Sequence, residues 1–317
     1  MRAIQITNLN GPDEALELAD IPEPEASHML TPGSGVLVDV HSAGVSFPEV
    51  LQTRGEYQFK PDLPFVPGSE VGGIRRDTGE RVAAFSFLGA FAEVAVAPEY
   101  MVFPIPDSWE FAQGAALVLN YHTAYFALKI RGRLTEGETV LVHGGAGGVG
   151  TASLQVAKGL GARTIAVVSS DEKEQVAREA GADEVVRADG FKDAVTELGG
   201  ADLIIDPVGG DRFTDSLRSL KEEGRLVVVG FTGGSIPEVK VNRLLLNNTE
   251  VIGAGWGAYV MPKPEVTRQI GAEIERLIQA GFIDPPVGAS YPLNQAAEAL
   301  KLIDGRGATG KVVLEVR

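Results

Sequence analysis

The feature that most constrains this chain is a glycine-rich turn between a short apolar run and a helix-like segment. Residues 139–142 read TVLV, and glycines follow at Gly145, Gly147 and Gly150. The next stretch, TASLQVAKGLGA, has apolar residues at helical spacing. In a strand, turn and helix unit, these glycines allow in order a tight turn, close approach of the backbone to a pyrophosphate, and close helix-to-strand packing. The spacing therefore predicts a dinucleotide site.

Five more β-like runs follow the turn, with helix-like segments between them. A glycine-rich turn can also serve helix packing alone, so this alternation decides the interpretation. Six strands joined by helical crossovers predict an α/β fold with a doubly wound parallel six-stranded sheet, whose first strand leads into the glycine-rich turn. The predicted strands are 139–142, 164–168, 184–187, 202–205, 225–229 and 250–252, and the predicted helices are 171–180, 192–198, 211–220 and 242–246.

The flanks of this unit have a different character, and 317 residues are enough for two domains. Short alternating runs separated by Pro- and Gly-rich turns fill residues 1–97 and predict a small β-rich domain. The tail after residue 254 is too short to fold alone, so we expect it to return to that domain. The predicted parts are the β-rich domain over 1–118, a nucleotide-binding domain over 119–254 and a return to the β-rich domain over 255–317.

The composition of the chain limits the classes of partner that it is expected to bind. A net charge of -15 without a long like-charge block argues against nucleic acid or an anionic membrane surface as the main partner. No apolar stretch approaches the ~20 residues that span a bilayer, and no basic and apolar leader opens the chain, which predicts a cytoplasmic protein. The chain has no cysteine, and its four histidines show no HxxxH or HExxH spacing, so no metal site is predicted.

Several motifs together resemble the medium-chain dehydrogenase/reductase superfamily, and within it the zinc-independent NADPH:quinone oxidoreductase (zeta-crystallin-like) family. They are VLVHGGAGGVGTASLQVAKGLGA, the loop LPFVPGSEVGG, the pairs Thr123-Ala124 and Trp256-Gly257, and the ending TGKVVLEV. The resemblance covers essentially the whole chain. It implies a GroES-like catalytic domain, an inserted Rossmann domain, a cleft between the two, and a homodimer with the Rossmann sheets joined edge to edge.

Two departures from the zinc-dependent branch are informative. Those members carry a ligand Cys where this chain has Ser46, and a His where Ser69 precedes Glu70. Without zinc there is no Lewis acid to hold an alkoxide, so reduction of an electrophilic acceptor is favoured over alcohol oxidation. Glu49 and Glu70 are interpreted as structural, or as partners of an arginine such as Arg54.

The acceptor class stays open at this point. Quinone reductases of this type often carry Asn-x-x-Asp where residues 46–49 read SFPE, and a Tyr where Leu51 stands, whereas Tyr57 matches a second family tyrosine. A quinone is the first expectation, and an activated alkene such as an enoyl or acryloyl thioester is the alternative. Relatives that serve as crystallins or bind RNA suggest a third role, which the acidic balance and the intact glycine turn disfavour.

The end of the second predicted strand indicates NADPH rather than NADH. An NAD site needs a carboxylate there, whereas this chain has Ser169-Ser170. A carboxylate about 4 Å from a 2′-phosphate would cost on the order of 4 kcal/mol at an effective dielectric constant near 20, and serines remove that cost. Lys173 and Arg187 would supply cations. In the competing interpretation, Ser170 or Asp171 caps the next helix, Glu174 completes a capping box, and Lys173 is solvated.

The expected reaction is transfer of a hydride from C4 of the nicotinamide to the acceptor, with a proton from water or one side chain. Tyr57 is the candidate for orienting the acceptor oxygen or donating a proton, and packing in its loop is the alternative. By family position Ser46 and Thr123 would face the nicotinamide. The candidate cofactor-binding residues are Ser46, Thr123, Gly145, Gly147, Gly148, Val149, Gly150, Ser169, Ser170, Lys173, Arg187 and Phe231, and the candidate substrate-binding residues are Phe47, Tyr57, Asn120 and Trp256.

Overall fold

A computed structural model describes residues 1–317, and the chain divides into two compact units. The first unit comprises Met1–Leu119 and Pro285–Arg317, and the second comprises Asn120–Asp284. The chain therefore returns to the first unit at Pro285 and not at residue 255, so the expected boundary was wrong. No helix is both long and apolar enough to cross a membrane.

The N-terminal part of the first unit consists of short strands and two short helices. Its strands are β1 (Arg2–Ile6), β2 (Leu16–Asp20), β3 (Val36–Val45), β4 (Glu70–Arg75), β5 (Arg81–Phe85), β6 (Val94–Ala97) and β7 (Val102–Pro104). Its helices are α1 (Phe47–Gln52) and α2 (Phe111–Gly114), with a 3-10 turn at Glu99–Met101. Helix α3 (Val118–Tyr125) and a π-helical turn (Phe126–Arg131) follow.

The second unit has the predicted α/β fold. Its strands are β8 (Thr139–His143), β9 (Arg163–Val168), β10 (Glu184–Arg187), β11 (Ala201–Asp206), β12 (Leu220–Val228) and β13 (Glu250–Gly253). Its helices are α4 (Gly148–Gly159), α5 (Asp171–Glu179), α6 (Phe191–Glu197), α7 (Phe213–Ser219), α8 (Asn242–Asn247), α9 (Trp256–Val260) and α10 (Pro264–Gln279), with a 3-10 turn at Gly210–Arg212.

The six strands of this unit form one parallel sheet in the order β10-β9-β8-β11-β12-β13. The chain moves outwards from β8 to one side and then restarts on its other side with β11, so the strand order reverses between β8 and β11. In open α/β sheets ligands bind at the carboxyl ends of the strands at such a switch point. The strand that leads into the glycine turn is therefore central in the sheet.

The C-terminal segment completes the sheet of the first unit. It contributes β14 (Val287–Pro292), a 3-10 turn (Leu293–Gln295), α11 (Ala296–Asp304) and β15 (Lys311–Glu315). The sheet runs β14-β15-β3-β4-β5-β7, β6 also pairs with β3, and β1 and β2 form a separate hairpin. Residues of both chain segments, Val40 and Leu314 among them, share one apolar core.

Strand β4 contains two adjacent glycines, Gly72 and Gly73, in place of the alternating apolar pattern that marks a strand in the sequence. The structure gives the reason for both. A Cβ on Gly72 would lie 1.9 Å from the Phe111 carbonyl oxygen, and one on Gly73 would lie 2.2 Å from that of Asp39. Close backbone approach therefore removed the β-branched side chains that mark a strand.

Candidate functional site

Three glycines shape the turn after β8, one by its backbone angle and two by close contacts. Gly144 has a positive φ of 60° and makes the tight turn, a task that the sequence analysis gave to Gly145. A Cβ on Gly145 would lie 2.7 Å from the Ala166 Cβ on the neighbouring strand, and one on Gly150 would lie 2.0 Å from the Gly144 carbonyl oxygen. Both glycines are therefore required by packing. Nothing in the sequence separates the adjacent Gly144 and Gly145 as turn residues.

Gly147 is the open position of the turn. A Cβ placed there would meet only the Gly144 carbonyl oxygen, at 3.5 Å. Gly147 is also the N-cap of α4, and it has no side chain to satisfy the first N–H groups of that helix. The N–H groups of Gly148, Val149 and Gly150 therefore offer donors and a helix dipole beside bare backbone, which fits a pyrophosphate.

At the end of β9, Ser169 and Ser170 are exposed. The hydroxyl of Ser170 accepts from the backbone N–H of Lys173 at 3.3 Å and caps α5. The helix-capping interpretation is thus confirmed for Ser170. Glu174 forms no capping box, because its carboxylate instead accepts from Arg178 at 2.7 Å and from Arg187 at 2.8 Å.

Arg187 is tied to two carboxylates. Its guanidinium donates to Asp171 and, at 2.8 Å, to Glu174. These pairs are largely exposed, which limits their contribution to stability. They nevertheless neutralise Asp171, a carboxylate that would otherwise repel a 2′-phosphate near this helix.

Helix α3 places two candidate side chains inside the second unit. Asn120 lies against the first turn of α4, since a Cβ on Gly148 would be 2.6 Å from its Nδ2 atom. Thr123 is buried in the interior of α3, so it is not a helix cap. Trp256 is also buried, with its ring edge-on to His122 at a centroid distance of 5.6 Å. Its burial favours a packing role for Trp256 over a substrate-lining role.

Phe231 follows β12, and its ring is 38% exposed. Its Cδ1 atom would lie 3.0 Å from a Cβ on Gly209, in the loop after β11. Phe231 therefore lies at the carboxyl edge of the sheet, as do the glycine turn and Ser169, so this edge brings together the cofactor candidates that follow β8, β9 and β12.

In the first unit, Ser46 and Glu49 form the entry to α1. The Ser46 backbone N–H donates to the Glu49 carboxylate at 2.8 Å, and the Ser69 hydroxyl donates to it at 3.2 Å. Burial raises the pKa of the Glu49 carboxyl from 4.5 to about 7, although the nearby Lys311 charge and the backbone N–H of Ser46 act in the opposite direction. Glu49 thus titrates near neutrality.

Glu70 is paired with Lys311, and both side chains are almost fully buried. The Lys311 ammonium also donates to the Ser46 hydroxyl at 2.6 Å, and the other Glu70 oxygen accepts from the Leu119 N–H at 2.8 Å. Glu70 therefore has a lysine partner. The expected partner, Arg54, instead forms a bidentate pair with Asp304.

These residues do not fit a zinc ion. Ser46 and Glu70 contact an ammonium group instead, and a second cation beside Lys311 would be repelled. The structure also places no group of three His, Cys, Asp or Glu side chains to hold a metal. Sequence reasoning missed Lys311, whose only signal was a charged residue opening the apolar run KVVLEV.

Two aromatic candidates lie in the loop and helix after β3. Tyr57 is half-buried, and burial together with the Glu49 charge raises the pKa of its phenol. A raised pKa keeps the hydroxyl protonated, so it remains a hydrogen-bond donor. Phe47 begins α1 and packs against the core of the first unit, which accounts for this residue without a substrate.

Comparison with known proteins identifies relatives that are oxidoreductases, in agreement with a dinucleotide site at the glycine turn. Residues 148–274 match a family described as zinc-binding dehydrogenase. Quinone oxidoreductase-like protein 2 of Bos taurus is 38% identical, covering 89% of this chain and 85% of that protein. Quinone oxidoreductase of Mus musculus is 34% identical, covering 99% of this chain and 97% of that protein. The chain belongs to the zinc-independent quinone oxidoreductase family.

Solved structures of other members of the quinone oxidoreductase family superpose along the whole chain. The Thermus thermophilus quinone oxidoreductase, solved also with NADPH, is 33% identical with a TM-score of 0.83 and complete coverage of both chains. The Escherichia coli quinone oxidoreductase complexed with NADPH is 26% identical with a TM-score of 0.88, again over both whole chains. The chain is therefore an oxidoreductase of the medium-chain dehydrogenase/reductase fold, as the sequence predicted.

Proposed function

We propose that this chain is an NADPH-dependent reductase that transfers a hydride to a quinone. The observation that carries the proposal is the open backbone at Gly147, which lies at the switch point of the sheet and leads into uncapped N–H groups of α4. Relatives solved with NADPH share this fold over the full chain length. NADPH, when bound, supplies the hydride.

Charge and exposure indicate which residues would hold the phosphates of NADPH. The N–H groups of Gly148, Val149 and Gly150 would donate to the pyrophosphate. Beyond β9, Ser169 and Ser170 present hydroxyls where NAD sites present a carboxylate. Lys173 would add positive charge near a 2′-phosphate. Arg187 contributes indirectly, because it neutralises Asp171.

The reacting groups would be oriented by side chains and by the exclusion of water. Ser46 and Thr123 would contact the nicotinamide, Asn120 and Phe231 would line its surroundings, and Tyr57 would donate to the acceptor oxygen. A hydroquinone is aromatic and its oxyanion is stabilised, so no strong acid is required. For this reason we expect removal of the Tyr57 hydroxyl to slow turnover without abolishing it.

The test is oxidation of NADPH and NADH by the purified protein against benzoquinones, naphthoquinones, enones and an enoyl thioester. We expect quinone turnover with a preference for NADPH. Heat-unfolded protein is the control for the direct reaction between the nicotinamide and the quinone. Turnover of alkenes but not of quinones would contradict the quinone assignment and favour the alternative acceptor class. Equal use of NADH would contradict the cofactor assignment.

We also propose that the protein forms a homodimer through the β13 edge of the parallel sheet. Strand β13 is the last in the sheet order, so one side of its backbone has no partner strand. The segment before it exposes four large apolar side chains, each more than 70% accessible: Ile236, Val241, Leu245 and Leu246. Such a patch beside an open edge favours association with a second copy.

A further inference from the structure

The first unit contains a buried lysine that contacts a partly exposed hydroxyl. Lys311 is 3% exposed and pairs with Glu70, which is fully buried. Its ammonium also donates to the Ser46 Oγ atom at 2.6 Å. Ser46 itself is half-buried, so its hydroxyl lies between the buried ion pair and the surface of the unit.

The sheet register builds this arrangement. Strand β3 pairs with β15 so that Val45 is opposite Val312, and with β4 so that Gly44 is opposite Glu70. Lys311 and Ser46 are the adjoining positions on their strands. A Cβ on Gly44 would lie 2.7 Å from both the Glu70 Cγ and the Lys311 Cε atoms. The glycine therefore provides the space that the buried ion pair occupies.

The Lys311 ammonium determines that the Ser46 oxygen accepts a hydrogen bond and that its proton is left to donate. An ammonium group has only donors, so the Ser46 oxygen must accept from Lys311 with a lone pair. The hydroxyl proton is then available to another acceptor, and the chain supplies none. Hydrogen bonds that involve an ionised group are the stronger ones, and polarisation by Lys311 makes the hydroxyl a better donor.

We propose that Lys311 is a positioning residue that holds and polarises the Ser46 hydroxyl as a donor to the carbonyl oxygen of the acceptor. This inference rests on the proposed function. During reduction the acceptor gains a hydride with its two electrons, NADPH becomes NADP⁺, and the carbonyl oxygen becomes anionic. The Ser46 O–H bond stays intact and stabilises that oxyanion, and water supplies the proton that completes the hydroquinone.

The first test is Ser46→Ala, with Ser46→Thr as the variant that keeps the hydroxyl. We measure kcat, KM and the Kd of NADPH, the last by its fluorescence, over a series of benzoquinones of graded electron demand. We expect Ser46→Ala to lower kcat about tenfold or more, since loss of one oxyanion donor commonly costs 10²–10³. Because Ser46 is also a proposed contact of the nicotinamide, kcat is measured at saturating NADPH, so that weaker cofactor binding does not enter it. The loss should be largest for electron-rich quinones, whose oxyanions need most stabilisation, and Ser46→Thr should retain most activity.

The second test addresses Lys311. Lys311→Met alone would leave the Glu70 charge buried and unpaired, so the variant is Lys311→Met with Glu70→Gln. Lys301→Met, at a half-exposed lysine of the same unit, is the control. The double variant should reproduce the selective loss seen in Ser46→Ala, and combining it with Ser46→Ala should add little further loss. Thermal unfolding with and without NADPH checks that each variant is folded.

Several results would overturn the inference. Ser46→Ala with kcat within twofold of wild type, or with the same loss for every quinone, would show that the hydroxyl stabilises no oxyanion. A folded Lys311→Met/Glu70→Gln variant with wild-type kcat would remove Lys311 from the mechanism, and an unfolded one leaves the Ser46 series to decide. A wild-type protein that binds NADPH but reduces no quinone would instead contradict the proposed function.

Discussion

At the scale of single residues, Glu49 is a carboxyl group whose pKa is strongly shifted by the fold. Its carboxyl is buried, and burial raises its pKa from 4.5 to about 7. The Lys311 charge and the backbone N–H of Ser46 favour the ionised form, and the Glu70 charge opposes it, but burial dominates. A carboxyl with a raised pKa binds a proton in the folded state that the unfolded chain has already released.

The contribution of Glu49 to the stability of the folded state falls as the pH rises. Below pH 4.5 both states carry the proton, and above about pH 7 neither does. As the pH rises through this window, Glu49 therefore lowers the free energy of unfolding, by at most about 1.4 kcal/mol per pH unit. We predict that Glu49→Gln removes this dependence. Its stability relative to wild type should rise by roughly 1 to 3 kcal/mol between pH 5 and pH 8.

The measurement is urea unfolding of both proteins at pH 5, 6, 7 and 8. A glutamine can accept from the Ser46 N–H with its carbonyl oxygen and donate to the Ser69 oxygen, so the local hydrogen bonds can be kept. Glu222→Gln, at an exposed carboxylate, is the matched control. Wild type and Glu49→Gln curves that stay parallel over this pH range would contradict a pKa near 7.

The surroundings of Glu49 also include a residue that could not be predicted from the sequence. The positions of Ser46, Ser69 and Glu70 could be selected from the family resemblance, but their partner could not. Lys311 is 241 positions away from Glu70, and a lysine that opens an apolar strand is usually solvated. Only the pairing of β15 and β4 with the two sides of β3 brings these charges together. Arg54, the arginine suggested as a partner, pairs with Asp304 instead.

At the scale of elements, the turn before α4 contains glycines with different tasks. The sequence predicted that Gly147 serves ligand approach and that Gly150 serves packing, and their surroundings support this division. A Cβ on Gly147 has its nearest neighbour at 3.5 Å, whereas one on Gly150 would be 2.0 Å from a backbone oxygen. The division could be predicted because the spacing of the motif follows from the geometry of a strand, turn and helix.

We predict that alanine at the two positions has opposite consequences. Gly147→Ala should fold with nearly unchanged thermal stability, because its φ is -84° and there is room for a methyl group. It should weaken NADPH binding at least tenfold, since the methyl would lie where the phosphates approach. Gly150→Ala should destabilise the second unit by about 1 to 3 kcal/mol, the usual cost of forcing extra volume into packed structure.

Thermal unfolding and NADPH titration of both variants make the comparison. Gly137→Ala is not a suitable control, because Gly137 has a positive φ of 85°. Gly257→Ala is suitable, because a Cβ there would meet nothing within 4 Å and α9 already provides helical backbone. Wild-type NADPH affinity in Gly147→Ala would contradict the assignment of the phosphate site, whatever the stability of Gly150→Ala.

At the scale of the whole molecule, the inserted arrangement was predictable but its second boundary was not. The expected return at residue 255 followed the end of the last predicted strand. In the structure α10 stays in the second unit and packs on α4, where a Cβ on Gly159 would be 2.7 Å from Leu277. Gln155 of α4 also donates to the Asp284 carbonyl oxygen at 2.8 Å. Helical periodicity shows that α10 has an apolar face but not which core covers it.

We predict that two copies of the chain assemble through β13. Leu245 and Leu246 are 77% and 76% exposed, and burying such side chains against a second copy would stabilise a dimer by roughly 25 cal/mol for each Å² of apolar area. We expect light scattering after gel filtration to give twice the chain mass of 33.4 kDa. Leu245→Asp/Leu246→Asp should give monomers, because a two-fold interface would bring the new charges into an apolar contact. Leu18→Asp, at a half-exposed leucine of the β1–β2 hairpin, should leave the mass unchanged. A monomeric wild type, or a dimer that survives the double substitution, would contradict this interface.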